Sequence, residues 1–470
     1  MPTTPSEPWR MSAAEMAAAI WHKDVSCREL TASVLARIHD ANPLYNALTD
    51  VLAEEALAAA EEADRQLANG QATGVLHGVP VTTKINVDQA GLATTNGSLK
   101  LRDLIAREDA PVVANLRQAG AILVGRSNTA TYSVRWFTDN AVHGRTVNPW
   151  AADITPGGSS GGAAVAVASG MGAIAHGNDM GGSIRYPAYC CGVAGLRPTI
   201  GRIPAFNPSA TAERGISSQQ MSTQGPLARR VADLRLAMQA MCRYDPRDAN
   251  ALDLPWAPVP SPRGLRVALC RSHPGLDFHP AVVAALDAAA GWLARAGYVV
   301  EEVAPPLLTQ AAELWRVLTV EDGRRSVSAA IADHGDGAMR ISQGHMEHGV
   351  AVGDRDAYLD ALALRFTLAR QWSQFLHRHP LLLLPTSCQP PSEQDADAGD
   401  HTRFQALLNA QSPLLATACL GLPGISVPTG MHGAHPMGVQ LVSARFREDL
   451  LLDAAQAIES AAAFVGFLNR

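Results

Sequence analysis

The chain has 470 residues, of which 47% are hydrophobic and 17% charged, and its formal net charge is −6. This composition predicts a soluble globular protein with a sizeable core, and the negative charge gives no reason to expect nucleic acid. The longest nearly apolar run, 161–175, is too short for a membrane span, and the N-terminus lacks the pattern of a secretory signal. Seven scattered cysteines predict reduced thiols. We therefore expect a cytoplasmic protein.

The N-terminal region, 1–70, is expected to be a helical cover packed on the rest of the molecule. Capping boxes that begin at Ser12 and Ser26 mark two helix starts. The second helix is expected to end before Asn42 and Pro43, and Gly70 is expected to stop the third. The three helices are predicted near 12–22, 26–41 and 49–69.

The next region alternates extended and helical patterns. Val79–Val87 reads as a strand that contains Lys84, and the residues alone favour an exposed edge lysine over a buried functional one. A helix at 111–119, a strand at 121–125 and a short helix at 127–132 follow. This alternation favours an α/β protein with substantial parallel sheet.

Two clusters of glycine and serine, 157–162 and 181–183, flank a predicted helix at 161–169 and a strand at 171–177. The first cluster lacks the lysine ending of a phosphate-binding loop. Its Gly-Ser-Ser-Gly run fits a nucleophile elbow, although no strand leads into it. The alternative is one site that uses both clusters with a base from elsewhere. Tyr132, Trp136 and Phe137 precede the clusters and are either a substrate-pocket wall or plain core.

Beyond Pro198 the pattern is less regular, and 252–263 is the most linker-like stretch. His345, His348 and the other histidines lack a third ligand at a helpful spacing, so no metal site is expected. A surface loop near the site mouth is predicted at 387–401. The remaining elements are predicted as strands at 265–270, 298–303, 381–384, 424–427 and 438–442, and helices at 280–296, 306–333, 356–378, 404–420 and 448–462.

Several motifs together resemble the amidase signature family, and the match runs from about residue 70 to the C-terminus in the order typical of that family. The motifs are Gly78–Lys84 (GVPVTTK), Pro156–Gly162 (PGGSSGG), Gly177–Pro187 (GNDMGGSIRYP), Cys191–Thr199 (CGVAGLRPT), Gly225–Asp233 (GPLARRVAD) and Gly421–Pro428 (GLPGISVP). Ile85, Asn178 and Cys190 depart from the usual family pattern and bear on substrate choice.

The resemblance implies one large α/β domain spanning 1–470, with a mixed, largely parallel, twisted central sheet covered by helices on both faces. Within it, 71–240 would form the core that holds the catalytic residues. Residues 264–470 would complete the sheet and the substrate pocket.

The resemblance also implies a triad in which Ser183 is the nucleophile, Ser159 the bridging serine in a cis peptide bond, and Lys84 the base. Burial would lower the pKa of Lys84 so that it is neutral. The oxyanion hole is expected from the backbone N–H groups of Met180, Gly181, Gly182 and Ser183. Ser160, Asp179 and Arg185 are expected to support the site. No metal and no organic cofactor is needed.

The implied activity is hydrolysis of a carboxamide C–N bond in a small molecule. Small or aryl amides, anilides, carbamates (urethanes) and esters share the acyl-enzyme chemistry, and the motifs do not separate them. One alternative is the amidotransferase subunit that supplies ammonia for charged tRNA. Others are an α/β-hydrolase esterase using Ser159 with a histidine, and a catalytically inactive binding or scaffold protein. A monomer or a homodimer is expected.

Overall fold

The computed structural model describes residues 7–72, 74–257, 259, 263–351 and 353–462. In this part of the chain, eleven strands form one sheet, in the order β1-β3-β2-β4-β6-β5-β10-β11-β9-β7-β8. The strands are β1 (Leu48–Val51), β2 (Pro80–Lys84), β3 (Ile122–Ser127), β4 (Ile174–Asp179), β5 (Ala194–Arg197), β6 (Thr223–Ala228), β7 (Arg266–Leu269), β8 (Val299–Glu302), β9 (Leu381–Pro385), β10 (Gly424–His432) and β11 (His435–Ser443).

Helices surround the sheet. They are α1 (Ala13–Trp21), α2 (Cys27–Tyr45), α3 (Ala53–Ala68), α4 (Pro111–Gln118), α5 (Gly161–Ala168), α6 (Arg185–Cys191), α7 (Ile216–Met221), α8 (Val231–Met241), α9 (Pro280–Arg295), α10 (Leu308–Arg324), α11 (Val327–His334), α12 (Gly337–Glu347), α13 (Arg355–Arg378), α14 (His401–Ala410), α15 (Ser412–Cys419) and α16 (Glu448–Ala462).

The predicted fold class, one α/β domain on a mixed sheet, is confirmed. β2 pairs in parallel with β3 and β4, and β7 pairs in parallel with β8 and β9. The strands between these two blocks are antiparallel and include the β10–β11 hairpin. Every residue of β2 and of β9 is buried, as expected for strands covered on both faces. The site described below lies where β2 and β4 end.

Both predicted capping boxes are present at the starts of α1 and α2. The prediction that α2 ends before Pro43 was wrong, because α2 continues through Pro43 to Tyr45. The segment 49–69 is not one helix either, since β1 precedes α3. The Asn42 side chain accepts hydrogen bonds from the N–H groups of Ala47 and Leu48, at 2.9 and 2.8 Å, and so turns the chain into β1.

Other boundaries also differ from the sequence prediction. The chain at 127–132 contains the end of β3 and a 3₁₀ turn at Thr131–Ser133 instead of a short helix. The predicted helices 306–333 and 404–420 are each two helices, and Pro413 lies at the start of α15, where a missing N–H costs nothing. Helix α12 was not predicted. The linker-like stretch 252–263 includes residues 258 and 260–262, which lie outside the described residues.

The segment 387–401 is more firmly anchored than the predicted surface loop. Buried Arg135 forms a two-bond ion pair with Asp397, with N–O distances of 2.8 and 2.7 Å, and a further contact of 3.0 Å with Asp395. The N–H of Thr155 donates to the carbonyl of Ser392 at 2.9 Å. These contacts attach the segment to the chain on either side of Trp136.

Candidate active site

Lys84 is the last residue of β2, and its side chain is completely buried. Its amine nitrogen, Nζ, lies 2.8 Å from Ser159 Oγ, 3.0 Å from Ser160 Oγ and 2.8 Å from Asn178 Oδ1. The structure thus brings the predicted base and the predicted bridging serine into direct contact across 75 residues of sequence.

The surroundings of Lys84 favour the neutral amine. Burial lowers the pKa of Lys84 well below its ordinary value, and the negative charge of Asp179 offsets part of this effect. His176 accepts a hydrogen bond from the Lys84 backbone N–H at 3.3 Å. Burial lowers the pKa of His176 to about 4, so it adds no positive charge near pH 7. An amine held in this state can accept a proton.

Ser159 follows a cis peptide bond, Gly158–Ser159, as predicted. Gly158 packs directly on the backbone of residues 135–137, and a Cβ atom there would lie 2.5 Å from main-chain atoms. Thr129 Oγ1 donates to the Ser159 carbonyl, and Thr138 Oγ1 donates to the Gly157 carbonyl, both at 2.9 Å. These contacts fix the loop just before α5.

Ser183 lies in the loop after β4 and faces the same cavity as Ser159. The cavity has a volume of about 700 Å³ and is also lined by Asn86, Tyr132 and Asn178. The carbonyl oxygen of Ser183 accepts a hydrogen bond from the Ser160 N–H at 3.2 Å. In the described part of the chain the Ser183 hydroxyl has no hydrogen-bond partner, so the structure contains the Lys84–Ser159 link but no hydrogen bond from Ser159 to Ser183.

The loop 180–183 offers fewer free donors than predicted. The Gly182 N–H donates to Asp179 Oδ1 at 2.8 Å, and is therefore not available to an oxyanion. The N–H groups of Met180, Gly181 and Ser183 have no acceptor among the described residues. Of the four predicted donors, Gly182 is therefore excluded, and in the described chain the other three N–H groups are free to bind a ligand.

Two tryptophans hold the carbonyl groups of this loop. Trp315 Nε1 donates to the Met180 carbonyl at 2.7 Å, and Trp136 Nε1 donates to the Gly181 carbonyl at 2.9 Å. In a planar trans peptide the C=O and the following N–H point in opposite directions. The indole of Trp315 therefore directs the Gly181 N–H, and the indole of Trp136 directs the Gly182 N–H. A Cβ at Gly181 would lie 2.5 Å from the Trp315 ring, so only glycine fits there.

Asp179 and Arg185 form the expected pair, and both are fully buried. Arg185 donates from Nε and from a terminal nitrogen to the two carboxylate oxygens, at 3.0 and 2.9 Å. Arg197 lies 3.6 Å from the same carboxylate. Burial raises the pKa of Asp179, but the charges of Arg185 and Arg197 and the hydrogen bonds outweigh it and hold that pKa far below its usual range. The charged carboxylate shapes the loop that carries Ser183.

The three predicted pocket aromatics have different positions. Tyr132 lines the cavity, and its buried hydroxyl has no partner among the described residues. Trp136 and Phe137 do not line the cavity and belong to the buried core, where Trp136 supports the Gly181 carbonyl. The prediction that Trp136 and Phe137 line the substrate pocket was therefore wrong, and the alternative, that they belong to the core, holds.

Sequence reasoning missed several residues of the site. Asn86 bonds to Asn178, and Trp315 comes from α10, 135 residues beyond Met180. In the sequence, Asn178 stands out only as a departure from the family pattern. Asn86 lies two residues after Lys84, and that closeness was a usable signal. Nothing in the sequence around Trp315 points to the site.

The described residues show neither a metal centre nor a membrane-spanning helix. They contain no group of three or more histidine, cysteine or acidic side chains arranged to hold a metal ion. No helix among them is long and apolar enough to cross a membrane. All seven cysteines are free and buried.

Comparison with known proteins agrees with this geometry. The sequence model of the Amidase family matches residues 29–452, nearly the whole chain. The chain therefore belongs to the amidase family and is an amide C–N hydrolase of the amidase signature type.

Individual relatives span the whole molecule. The chain is 45% identical over 461 residues to an indoleacetamide hydrolase of Bradyrhizobium diazoefficiens, covering 97% of this chain and 87% of the relative. It is 32% identical over 483 residues to a glutamyl-tRNA(Gln) amidotransferase subunit of Moorella thermoacetica, covering 96% and 97%. Among solved structures, a 6-aminohexanoate cyclic dimer hydrolase with bound substrate has a TM-score of 0.85 and 26% identity, with 98% of each chain covered.

Proposed function

We propose that this amidase hydrolyses small primary amides that carry an aryl group, of the indoleacetamide kind, through an acyl-enzyme on Ser183. The observation that carries the mechanism is the buried Lys84 amine, 2.8 Å from the Ser159 hydroxyl, beside a cavity that Ser183 also lines. A buried lysine with a lowered pKa is the kind of base that a serine hydroxyl needs.

In the proposed reaction, neutral Lys84 accepts the proton of Ser159 while Ser159 accepts the proton of Ser183. The Ser183 oxygen then forms a bond to the amide carbon, and the carbonyl oxygen becomes negatively charged. The N–H groups of Gly181 and Ser183, with that of Met180, stabilise this charge, and one such donor typically contributes about 3–4 kcal/mol. The relay requires the Ser183 hydroxyl to rotate toward Ser159, and none of the described residues holds that hydroxyl in a competing hydrogen bond.

The proton held by Lys84 returns through Ser159 to the amide nitrogen as the C–N bond breaks. For a primary amide the leaving group is ammonia, and the acyl group remains on Ser183. Water then enters, loses a proton along the same relay and attacks the acyl carbon. This second half releases the carboxylic acid and restores the Ser183 hydroxyl.

Two observations support an aryl amide as substrate. The relative of 45% identity, which spans 97% of the chain, is an indoleacetamide hydrolase. A cavity of about 700 Å³ has room for a bicyclic aromatic ring, and Tyr132 places an aromatic side chain in its wall. Anilides, carbamates and esters would use the same acyl-enzyme and form the competing substrate classes. The buried free cysteines support action in a reducing compartment such as the cytoplasm.

The test of the mechanism is covalent labelling by a sulfonyl fluoride, followed by peptide mapping. We expect the label on Ser183, loss of labelling in Ser183→Ala, and strong slowing in Ser159→Ala. Ser222→Ala is a matched control, because Ser222 also lines the cavity but has no contact with Lys84. A label on Ser159 that survives in Ser183→Ala would replace this mechanism with an esterase-like one.

The test of the substrate is a panel of amides, anilides, carbamates and esters with the purified single chain. We expect the highest kcat/KM for indoleacetamide and related arylacetamides, with ammonia released in equal amount to the acid. The alternative role in a tRNA amidotransferase is supported by relatives of 32% identity. That role would appear as glutaminase activity that requires charged tRNA and a second protein chain.

A further inference from the structure

We infer that Asn178 and Asn86 form an uncharged acceptor pair that holds the Lys84 amine with its lone pair directed at Ser159. Both are positioning residues, and the inference rests on the proposed function of Lys84 as the base. A neutral amine has two N–H donors and one lone pair, and Lys84 Nζ has three partners, at 2.8, 2.8 and 3.0 Å.

Two of these three partners are suited to accept from the amine. Asn178 Oδ1 is a carbonyl oxygen and can only accept. Ser160 can send its own proton to the main-chain carbonyl of Asn178, 3.4 Å away, and is then an acceptor for Lys84. The two N–H groups are thus used, and the lone pair is left for the Ser159 hydroxyl. The amine is oriented as a base before any substrate binds.

The orientation of Asn178 is fixed by a reciprocal amide pair. Asn178 Nδ2 donates to Asn86 Oδ1 at 2.9 Å, and Asn86 Nδ2 donates to Asn178 Oδ1 at 3.2 Å. Asn86 Nδ2 also donates to Ser133 Oγ at 2.9 Å, and Ser133 donates its own proton to Asn96 Oδ1 at 2.7 Å, so the Asn86 nitrogen and oxygen are distinguished. Rotating the Asn178 amide by half a turn would place N–H groups against both Asn86 Nδ2 and Lys84. The oxygen of Asn178 therefore faces the lysine.

The Asn178 acceptor is uncharged, and this matters because a carboxylate in contact with the Lys84 amine would favour its ammonium form. An opposite charge this close typically raises a lysine pKa by about 1–3 units. The charged or titratable groups near Lys84 are Asp179 and His176 on β4, and the carboxylate of Asp179 is occupied by Arg185 and Arg197. Asn178 is in contact with the amine and carries no charge.

The decisive variant is Asn178→Asp, which keeps the shape of the acceptor and adds a negative charge. The measurement is the rate of Ser183 labelling by a sulfonyl fluoride from pH 5 to pH 10.5, because this rate requires no knowledge of the substrate. We expect the half-point of the rise with pH to move upward by about 1–3 units, with recovery at high pH. At the half-point of the unchanged enzyme, labelling should fall about fivefold or more. A half-point that stays in place, or a uniform loss at every pH, would overturn the inference.

Asn69→Asp is the control, since Asn69 is exposed after α3 and does not line the cavity. The same charge change there should leave the half-point unmoved. Asn86→Asp is a second variant that keeps the test decisive if Asn178→Asp does not fold. Its charge lies one side chain further from the amine, so we expect a smaller upward shift of the half-point. A half-point that does not move would contradict the inference.

The same experiment separates this inference from the proposed function. If the unchanged enzyme shows no labelling of Ser183, or labelling that does not depend on pH, the mechanism with Lys84 as base fails. If labelling rises with pH and Lys84→Met abolishes it, the mechanism stands. An unmoved half-point in Asn178→Asp then rejects only the role of the asparagine pair.

Discussion

Replacing Lys84 with methionine should remove activity and, in the same variant, change how stability depends on pH. The side chain is fully buried, and burial lowers its pKa well below the ordinary value. The folded protein therefore holds Lys84 neutral at pH values where the unfolded chain still binds a proton. Because the unfolded state binds more protons, stability rises with pH until it passes the unfolded pKa of about 10.4.

The size of this effect follows from linkage. Each pH unit between the folded and the unfolded pKa changes the free energy of unfolding by about 1.4 kcal/mol. Between pH 8 and pH 10 the contribution of one neutral buried lysine amounts to about 2.5 kcal/mol, allowing for partial deprotonation of the unfolded chain near pH 10. Lys84→Met removes this dependence, and it also removes three hydrogen bonds, each with a net contribution of about 1 kcal/mol.

The assay is urea unfolding of the two proteins at pH 8, 9 and 10. We expect the stability of Lys84→Met relative to the unchanged protein to fall by about 2.5 kcal/mol from pH 8 to pH 10. Lys100→Met, at an exposed position, is the control and should follow the unchanged protein. Parallel pH dependence of Lys84→Met and the unchanged protein would mean that the lysine is charged in the fold, and the proposed base would be lost.

Three further outcomes test the surroundings of the site. Arg185→Met leaves the buried carboxylate of Asp179 with only Arg197, and we expect a loss of about 3–5 kcal/mol in the free energy of unfolding, measured in urea. Trp315→Phe removes the hydrogen bond to the Met180 carbonyl, and kcat should fall about fivefold to tenfold with little change in KM; a change in KM alone would place Trp315 in substrate binding. A chelator should leave kcat/KM unchanged, and inhibition reversed by added metal would contradict the metal-free mechanism.

The sequence predicted the parts of the site that depend on short motifs. The loop before α5 and the buried pair of Asp179 and Arg185 lie within a few residues of a glycine-rich motif, and the resemblance to a family supplied the cis bond at Ser159. Lys84 is different, because a lysine within an apolar strand was expected to lie exposed at an edge of the sheet. Only the resemblance to a family placed it at the site, and the structure shows that it is completely buried.

Long-range contacts account for what sequence reasoning missed. Trp136 and Phe137 are close in sequence to Tyr132, but of the three only Tyr132 lines the cavity. Between them, Arg135 is bound to Asp397, 262 residues away in the sequence. Trp315 contacts the loop 180–183 from a helix whose own pattern is that of an ordinary packed helix. Local propensity carries no information about either contact.

At the end of β4, an amide and a carboxylate lie on opposite faces because side chains alternate along a strand. Asn178 and Asp179 are adjacent, and successive side chains of a strand point to opposite faces. Asn178 therefore faces Lys84, at 2.8 Å, while the carboxylate of Asp179 faces Arg185, at 2.9 Å. A shift of one residue that brought Asp179 into the place of Asn178 would put the carboxylate against the lysine and leave Arg185 without its ion-pair partner. The register of β4 thus directs the negative charge away from Lys84, which favours the neutral amine that the proposed mechanism requires.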